Sequence, residues 1–298
     1  FAIDLVTARR ERYPVPGALP LVEPGTLDDD LARRDFTINT LALPLRADGF
    51  GPVVDRHGAR DDLAAGRVRV LHPRSFTDDP TRILRAARTE ARLGFRTDAA
   101  TEALARAAVA ALAALTAARW RGELKRLFAE TDGVAVAALS RLEDLGALAV
   151  LGPWPLRAHG TAAVLARLAD RRRRLPGGLD DPTARLMAWL TAHGPAAAPA
   201  GARLGLTARR VDDLSAAAAL LGDARLAETD AAPSTVWGAI AGARPSALAL
   251  VLAAAAAADA AVRDRLDRYA VDWAGRAPPL DGDDLVALGM PPGPTVGA

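Results

Sequence analysis

The chain has 298 residues, half of them hydrophobic, a quarter charged and only 4% aromatic. That length gives room for one large domain or two to three smaller ones with a sizeable core. The lack of any cysteine excludes a disulfide partner, a thiolate metal centre and a cysteine nucleophile. No apolar run is long enough to span a membrane. The net charge of +2, with Lys125 the sole lysine among many arginines, excludes a uniformly basic nucleic-acid coat. Any anion site must therefore come from local arrangement.

The first residues alternate, with Phe1, Ile3, Leu5 and Thr7 on one side and Ala2, Asp4, Val6 and Ala8 on the other, which predicts a strand. Residues 9–24, with Pro14, Pro16, Pro20 and Pro24, read as an extended loop. Thr26 with Asp29 three residues on is a capping-box start for a helix running to about Arg34. Residues 49–71 read as short strands, Val53-Val54 and Val68–Val70, around a turn of helix. Beyond Asp79 the pattern is helical over 80–93, 99–114, 117–130, 134–148, 161–174, 181–192, 207–222 and 245–272, with Gly194–Gly201 as a connection. Strands first and helices afterwards predict an α+β fold, a small sheet joined to a long helical part.

The segment Ser75–Phe95 carries the most chemistry. Asp79 is placed as N-cap and Pro80 as the first helical residue. At about 100° per residue, Arg82, Arg85, Arg88 and Arg92 share an arc of roughly 120°, opposite Ile83, Leu84, Ala87 and Ala91. An arginine row with no acid on its own face suits an external anion, and guanidinium forks match phosphate oxygens. Asp79 and Arg82, one turn apart, pair an acceptor with a donor. That complements the edge shared by cytosine and adenine and rejects uracil and guanine. The plainer alternative is a helix cap beside a solvated arginine face. Arg33–Asn39 adds adjacent arginines, a carboxylate and an amide at a helix end, a set suited to a triphosphate and a ribose hydroxyl. Asp4 is either an edge-strand charge or one carboxylate of a two-metal site. The four histidines show no ligand spacing.

Taken together, these segments resemble the class II tRNA nucleotidyltransferases (CCA-adding enzymes) and bacterial poly(A) polymerases. The matching runs are Ile3–Arg9 with Glu11 and Tyr13, the RRDFTIN run Arg33–Asn39, and Asp78–Arg82 continued to Arg88, with Asp78 where the family more often has Glu. Supporting matches are Pro16–Pro20, Val54-Asp55 with Gly58 and Asp62-Leu63, Arg92–Phe95, Arg119 with Glu123, and the final Gly282–Pro294. Thr89 stands where an aromatic residue is usual, and the family's Gly-Gly-x-x-Arg-Asp segment with its following Asp-x-Asp pair is missing.

The resemblance implies the end of a small polymerase-β-like nucleotidyltransferase sheet followed by an elongated all-α neck, body and tail. The implied divisions are residues 1–57 (part of the head), 58–150 (nucleotide-reading neck), 151–225 (body) and 226–298 (tail). The implied activity is template-independent addition of C and A from CTP and ATP to the tRNA 3′ end, in the cytoplasm. A poly(A), CC-only or A-only product, or a noncatalytic RNA- or nucleotide-binding helical module, stands as the alternative. Arg34 is implied to contact the triphosphate, Asp35 and Asn39 the ribose and local turn. Asp79 and Arg82 are implied to read the base, and Arg85 and Arg88 to complete the nucleotide contacts. Asp4 is implied to assist a Mg²⁺ site. With no initiator Met and without the Asp-x-Asp segment, the chain reads as truncated and inactive by itself. The arginine-rich faces 171–174 and 263–268 are candidate tRNA contacts.

Overall fold

The structure is a computed structural model that describes residues 5–14, 20–274 and 288. Asp4, the Pro16–Pro20 run apart from Pro20 itself, and all of the Gly282–Pro294 segment except Leu288 lie outside the described residues.

The strand-bearing part begins with β1 (Arg9–Arg12) and β2 (Leu21–Pro24), an antiparallel pair in register Arg9 with Pro24 and Arg12 with Leu21. The sequence placed the strand over residues 1–8 and a loop over 9–24. Residues 5–8 are instead irregular, and the pairing falls on 9–12 and 21–24. Pro24 is tolerated because it closes an edge strand, where a missing N–H costs no ladder bond. Gly25 follows, and a Cβ there would lie 2.8 Å from the Arg10 backbone nitrogen, so only glycine lets the chain turn this close.

Helix α1 (Leu27–Ala32) starts in the expected capping box, with the Thr26 hydroxyl accepting from the Asp29 N–H and Asp29 accepting from the Thr26 N–H. A single 3₁₀ turn (Thr37–Asn39) follows, then the hairpin β3 (Leu45–Arg46) and β4 (Gly49–Phe50), and α2 (Ala59–Ala64). Asp55 caps α2 by accepting the N–H groups of Ala59 and Arg60. Strand β5 (Arg67–Val68) leads through α3 (Ser75–Asp78) and α4 (Thr81–Leu93) to β6 (Arg96–Thr97), which pairs with β5 in parallel. Gly94 ends α4 in the left-handed conformation, φ 67°, that glycine adopts without strain.

The helical part comprises α5 (Ala99–Ala108), α6 (Ala117–Phe128), α7 (Asp132–Asp144), α8 (Thr161–Asp170), α9 (Asp181–Thr191), α10 (Ala197–Arg203), α11 (Ala208–Gly222), α12 (Pro233–Ala243), α13 (Ala247–Ala256) and α14 (Ala260–Arg268). The α+β organisation is as expected from the sequence. One apolar core runs from Phe36 through Trp120, Phe128 and Trp189 to Leu266, so sheet and helices share their packing. Each indole N–H finds a carbonyl, Trp120 that of Leu112 and Trp189 that of Arg157.

Three expectations change. The connection Gly194–Gly201 contains most of α10, and α12 was not anticipated. The run 245–272 is two helices, broken at Ala257–Asp259. Arg167 of α8 donates to the Ala255 carbonyl, and Arg263 of the following helix to those of Ala257 and Ala258. Asp259 then caps α14 by accepting the Ala261 N–H.

The two arginine runs proposed as RNA contacts are largely occupied within the protein. Arg171 and Arg174 both bind Asp267, Arg172 binds Asp181, and Arg265 donates to the Leu226 and Glu228 carbonyls. Only Arg173 and Arg268 of these runs stand exposed without such a bond among the described residues. Asp267→Ala strands two guanidiniums at the α8–α14 junction and is expected to cost about 2 kcal/mol, read as a lower urea midpoint. An unchanged midpoint would show that the bridge contributes nothing.

Candidate functional site

Where β1, the end of α1, the Thr37–Asn39 turn and the start of α4 meet, they enclose a cavity of about 480 Å³. Of the residues singled out from sequence, Arg34, Asp35, Asn39, Asp79, Arg82 and Arg85 all line it. Arg88 does not, and Asp4 is outside the described residues. Glu11, Tyr13 and Arg33 complete the lining. Arg33 belongs to the adjacent-arginine run already read as suited to a triphosphate, whereas Glu11 and Tyr13 were not placed in the site beforehand, although period-two alternation along β1 puts Arg9 and Glu11 on one face with Tyr13 next in step.

Local folding of the Arg33–Asn39 run explains its shape. Phe36 is fully buried, and the Thr37 hydroxyl donates to Asp62, itself 1% exposed and bonded by Arg69. This anchors the turn on α2. Asp35 then points back: one oxygen accepts the Phe36 N–H and the Asn39 amide, and the other accepts Nε and Nη2 of Arg85 at 2.8 and 2.5 Å. Burial pushes the Asp35 carboxyl up, but Arg85, Asn39 and the Phe36 N–H together outweigh it and hold the group below its ordinary range. Asp35 and Asn39 thus build the turn and lock Arg85. Both oxygens of Asp35 are already engaged.

Arg33 donates to Asp30 and to Glu11, whose other oxygen accepts from the Tyr13 hydroxyl at 3.0 Å. Burial, then the Glu11 charge, raises the Tyr13 phenol to about 12, so it stays protonated. Among the described residues Arg34, with a side chain 42% exposed, is held only by Asp30 at 2.9 Å. It is the cation on this wall most open to an incoming anion.

Asp79 and Arg82 behave differently from a free helix face. Pro80 occupies the cap position of α4, and Asp79 has an extended backbone at the end of α3. Its side chain nevertheless caps α4: Oδ1 accepts the Thr81 N–H and hydroxyl, and also Nη2 of Arg119 on α6 at 2.5 Å. All three bonds fall on one oxygen, so Oδ2 keeps its acceptor capacity. Arg82 is 4% exposed; Nη1 donates to the Ser75 hydroxyl and Nη2 to the Arg33 carbonyl. Those two bonds fix the guanidinium plane and leave further N–H groups for a ligand. Nearby, burial and then the Arg82 charge lower the pKa of His72, which therefore does not add a competing charge at neutral pH.

The arginine row of α4 is not a solvated face. Arg85 meets Asp35, and Arg88 lies between Glu123 at 4.0 Å and Glu130 at 3.9 Å. Acids supplied by α6 and by the Arg33–Asn39 run replace the external anion that the row alone called for. Arg88 faces Glu123 of α6 and does not line this cavity.

The described residues do not assemble a metal centre. No group of three or more His, Cys, Asp or Glu side chains among them is placed to hold a metal ion. Glu11, Asp35 and Asp79 are each engaged by guanidinium or hydroxyl donors. No described helix is long and apolar enough to cross a membrane.

The described residues thus form a small strand-bearing region, a polar cavity walled by arginines and a helical remainder. Residues 2–69 match the family model described as the Poly A polymerase head domain. An A-adding tRNA nucleotidyltransferase of Geobacter sulfurreducens is 45% identical over 165 residues, 55% of this chain and 18% of that protein. A CC-adding tRNA nucleotidyltransferase of Deinococcus radiodurans is 45% identical over 153 residues, 51% of this chain and 40% of that protein. A solved CCA-adding enzyme in apo form superposes with a TM-score of 0.75 at 28% identity, covering 99% of this chain and 70% of that one. Residues 2–69 are thus similar to that head domain, and about half of the chain is similar to these tRNA nucleotidyltransferases. The chain spans less than half the length of these curated relatives.

Proposed function

We propose that the cavity binds the nucleotide that a tRNA nucleotidyltransferase adds to the tRNA 3′ end, with CTP and ATP as substrates. One observation carries this reading: Asp79, whose Oδ2 keeps its acceptor capacity, and Arg82, whose guanidinium is fixed, line the same cavity as Arg33 and Arg34. An acceptor beside a donor matches the amine and ring nitrogen of cytosine and adenine, and the arginines match the triphosphate. The names of the two relatives, one A-adding and one CC-adding, support C and A as the alternatives. The site itself treats the two bases alike.

In this reading the protein supplies orientation. Arg82 and Asp79 fix the base edge, while Arg34, released from its single bond to Asp30, takes the phosphates. The Asp35–Arg85 fork keeps the wall between them rigid. Mg²⁺ enters as the counter-ion of the triphosphate, and no described residue is assigned to it. The finer part of the reading is that these 298 residues bind nucleotide without transferring it, since the sequence has no Gly-Gly-x-x-Arg-Asp segment followed by Asp-x-Asp.

Equilibrium binding of the four nucleoside triphosphates tests the base reading. ATP and CTP are expected to bind at least about tenfold tighter than GTP and UTP. Equal affinity for all four would refute base reading by Asp79 and Arg82. Incubation with tRNAs ending at the discriminator base, at C and at CC, together with Mg²⁺, CTP and ATP, then tests transfer. Incorporation by the 298 residues alone would overturn the finer part.

A further inference from the structure

A second cavity, of about 280 Å³, lies in the helical part and shares no residue with the first. Its walls are the loop Pro176–Leu179 ahead of α9, the N-terminal half of α11 and the start of α13. Gly177 and Gly178 leave open space where a Cβ would stand, so a ligand can lie against their backbone. Arg209, Arg210 and Asp213 of α11 and Ser246 of α13 carry the chemistry of the lining.

Arg209 and Arg210 each stand one turn before Asp213, at a spacing where a helical ion pair commonly forms. None forms here. Asp213 is 8% exposed and accepts the Ser246 hydroxyl on Oδ1, while neither arginine has a partner among the described residues. Arg209 is exposed and Arg210 half-buried. Two neighbouring guanidiniums therefore keep their full donor capacity, which suits an anion held between them. Asp213 Oδ2 also lacks a partner among the described residues, yet the fully sealed, partnerless side-chain atoms are Arg88 Nε and Thr161 Oγ1 alone. Oδ2 is thus not sealed, and the opening it has is the cavity that Asp213 lines. A carboxylate oxygen this deep and without a bond calls for a donor.

The cavity offers cations for an anion and, further in, an acceptor for a hydroxyl. Two cations match the double charge of a phosphate monoester better than the single charge of a carboxylate. The volume lies just below the range of about 300–1,000 Å³ common for drug-sized ligands, so the occupant is small. We propose that this cavity binds a small hydroxylated phosphate monoester of the sugar-phosphate class, with Arg209 and Arg210 on the phosphate and Asp213 on a hydroxyl. Only a ligand that enters the cavity reaches buried Asp213; a polynucleotide lying across the mouth meets the arginines alone. The proposal stands apart from the reading of the first cavity.

The test measures binding of ribose 5-phosphate and of inorganic phosphate by calorimetry, with the thermal midpoint as a second reading. Ribose 5-phosphate is expected to bind at least about fivefold tighter than phosphate and to raise the midpoint. Arg210→Ala, which breaks no bond within the protein, is expected to weaken it about tenfold. In Asp213→Asn the amide oxygen keeps the Ser246 bond and an NH₂ group replaces Oδ2. The preference for ribose 5-phosphate over phosphate is expected to vanish there, with no fall in phosphate affinity. Arg34→Ala, in the first cavity, is expected to leave both affinities within about twofold. Absence of ribose 5-phosphate binding by the unsubstituted protein overturns the proposal, as does unchanged affinity in Arg210→Ala or an unchanged preference in Asp213→Asn. A tenfold loss in Arg34→Ala also overturns it, by placing the ligand in the first cavity. Displacement of ribose 5-phosphate by a single-stranded RNA hexamer that itself loses affinity in Arg210→Ala would assign these arginines to a polynucleotide, and the small-ligand site would fall.

Discussion

Arg82→Ala is expected to lower the preference for ATP and CTP over GTP and UTP by about 10- to 100-fold, the worth of one well-placed bidentate contact. The guanidinium supplies the donor that a ring nitrogen of cytosine or adenine accepts and that the N–H of uracil or guanine opposes. The substitution also strands the Ser75 hydroxyl and the Arg33 carbonyl, and about 2 kcal/mol of stability is expected to go with them. The ratio of affinities is therefore the measurement of choice, because it does not depend on how much protein is folded. Asp79→Asn is the partner variant. Thr81 and Arg119 keep the amide oxygen in the place of Oδ1, so the amide nitrogen takes the place of Oδ2 and turns an acceptor into a donor. Selectivity is expected to relax without inverting, since Arg82 still demands a ring acceptor. Selectivity unchanged in both variants would move base reading elsewhere.

Arg85→Met is expected to destabilise the fold by about 3 kcal/mol at neutral pH, because it leaves the 9% exposed Asp35 carboxylate without its guanidinium. The pH dependence separates this from lost packing. The folded-state pKa of Asp35 lies below its unfolded value. The ion pair therefore contributes fully above the unfolded carboxylate range and is lost as pH falls through the folded value. In the variant, burial acts on Asp35 with only Asn39 and the Phe36 N–H in opposition, and the carboxyl titrates higher. The stability gap between the two proteins is expected to shrink as pH drops from 7 toward the carboxylate range, read from urea midpoints. A gap independent of pH would assign the loss to the arginine stem.

Much of the site was legible because its residues lie in two short runs. The Arg33–Asn39 and Asp78–Arg88 segments combine residue types whose chemistry is nearly unambiguous when they occur together, and six of the residues taken from them line one cavity. Helix starts were legible for the same local reason: Thr26, Asp98, Thr116, Asp180 and Ser246 each bond an N–H of the turn they precede. The hairpin from Arg9 to Pro24 was hidden by its prolines, and α12 by the absence of a strong amphipathic pattern.

The amino-acid order by itself determined the α+β division, most helix bounds and the two short runs that line the first cavity, all properties set by neighbours within a turn or two. Tertiary structure decided which arginines are spent. On one helix Arg82, Arg85, Arg88 and Arg92 look alike. Yet Ser75, Asp35 and Glu123 claim the first three from distances of 7, 50 and 35 residues, whereas Arg92 stays exposed. The same holds for the arginines that end α13 and for those that bind Asp267. A guanidinium offers five donors in a fixed plane, and only the folded chain determines which acceptors come within reach of them.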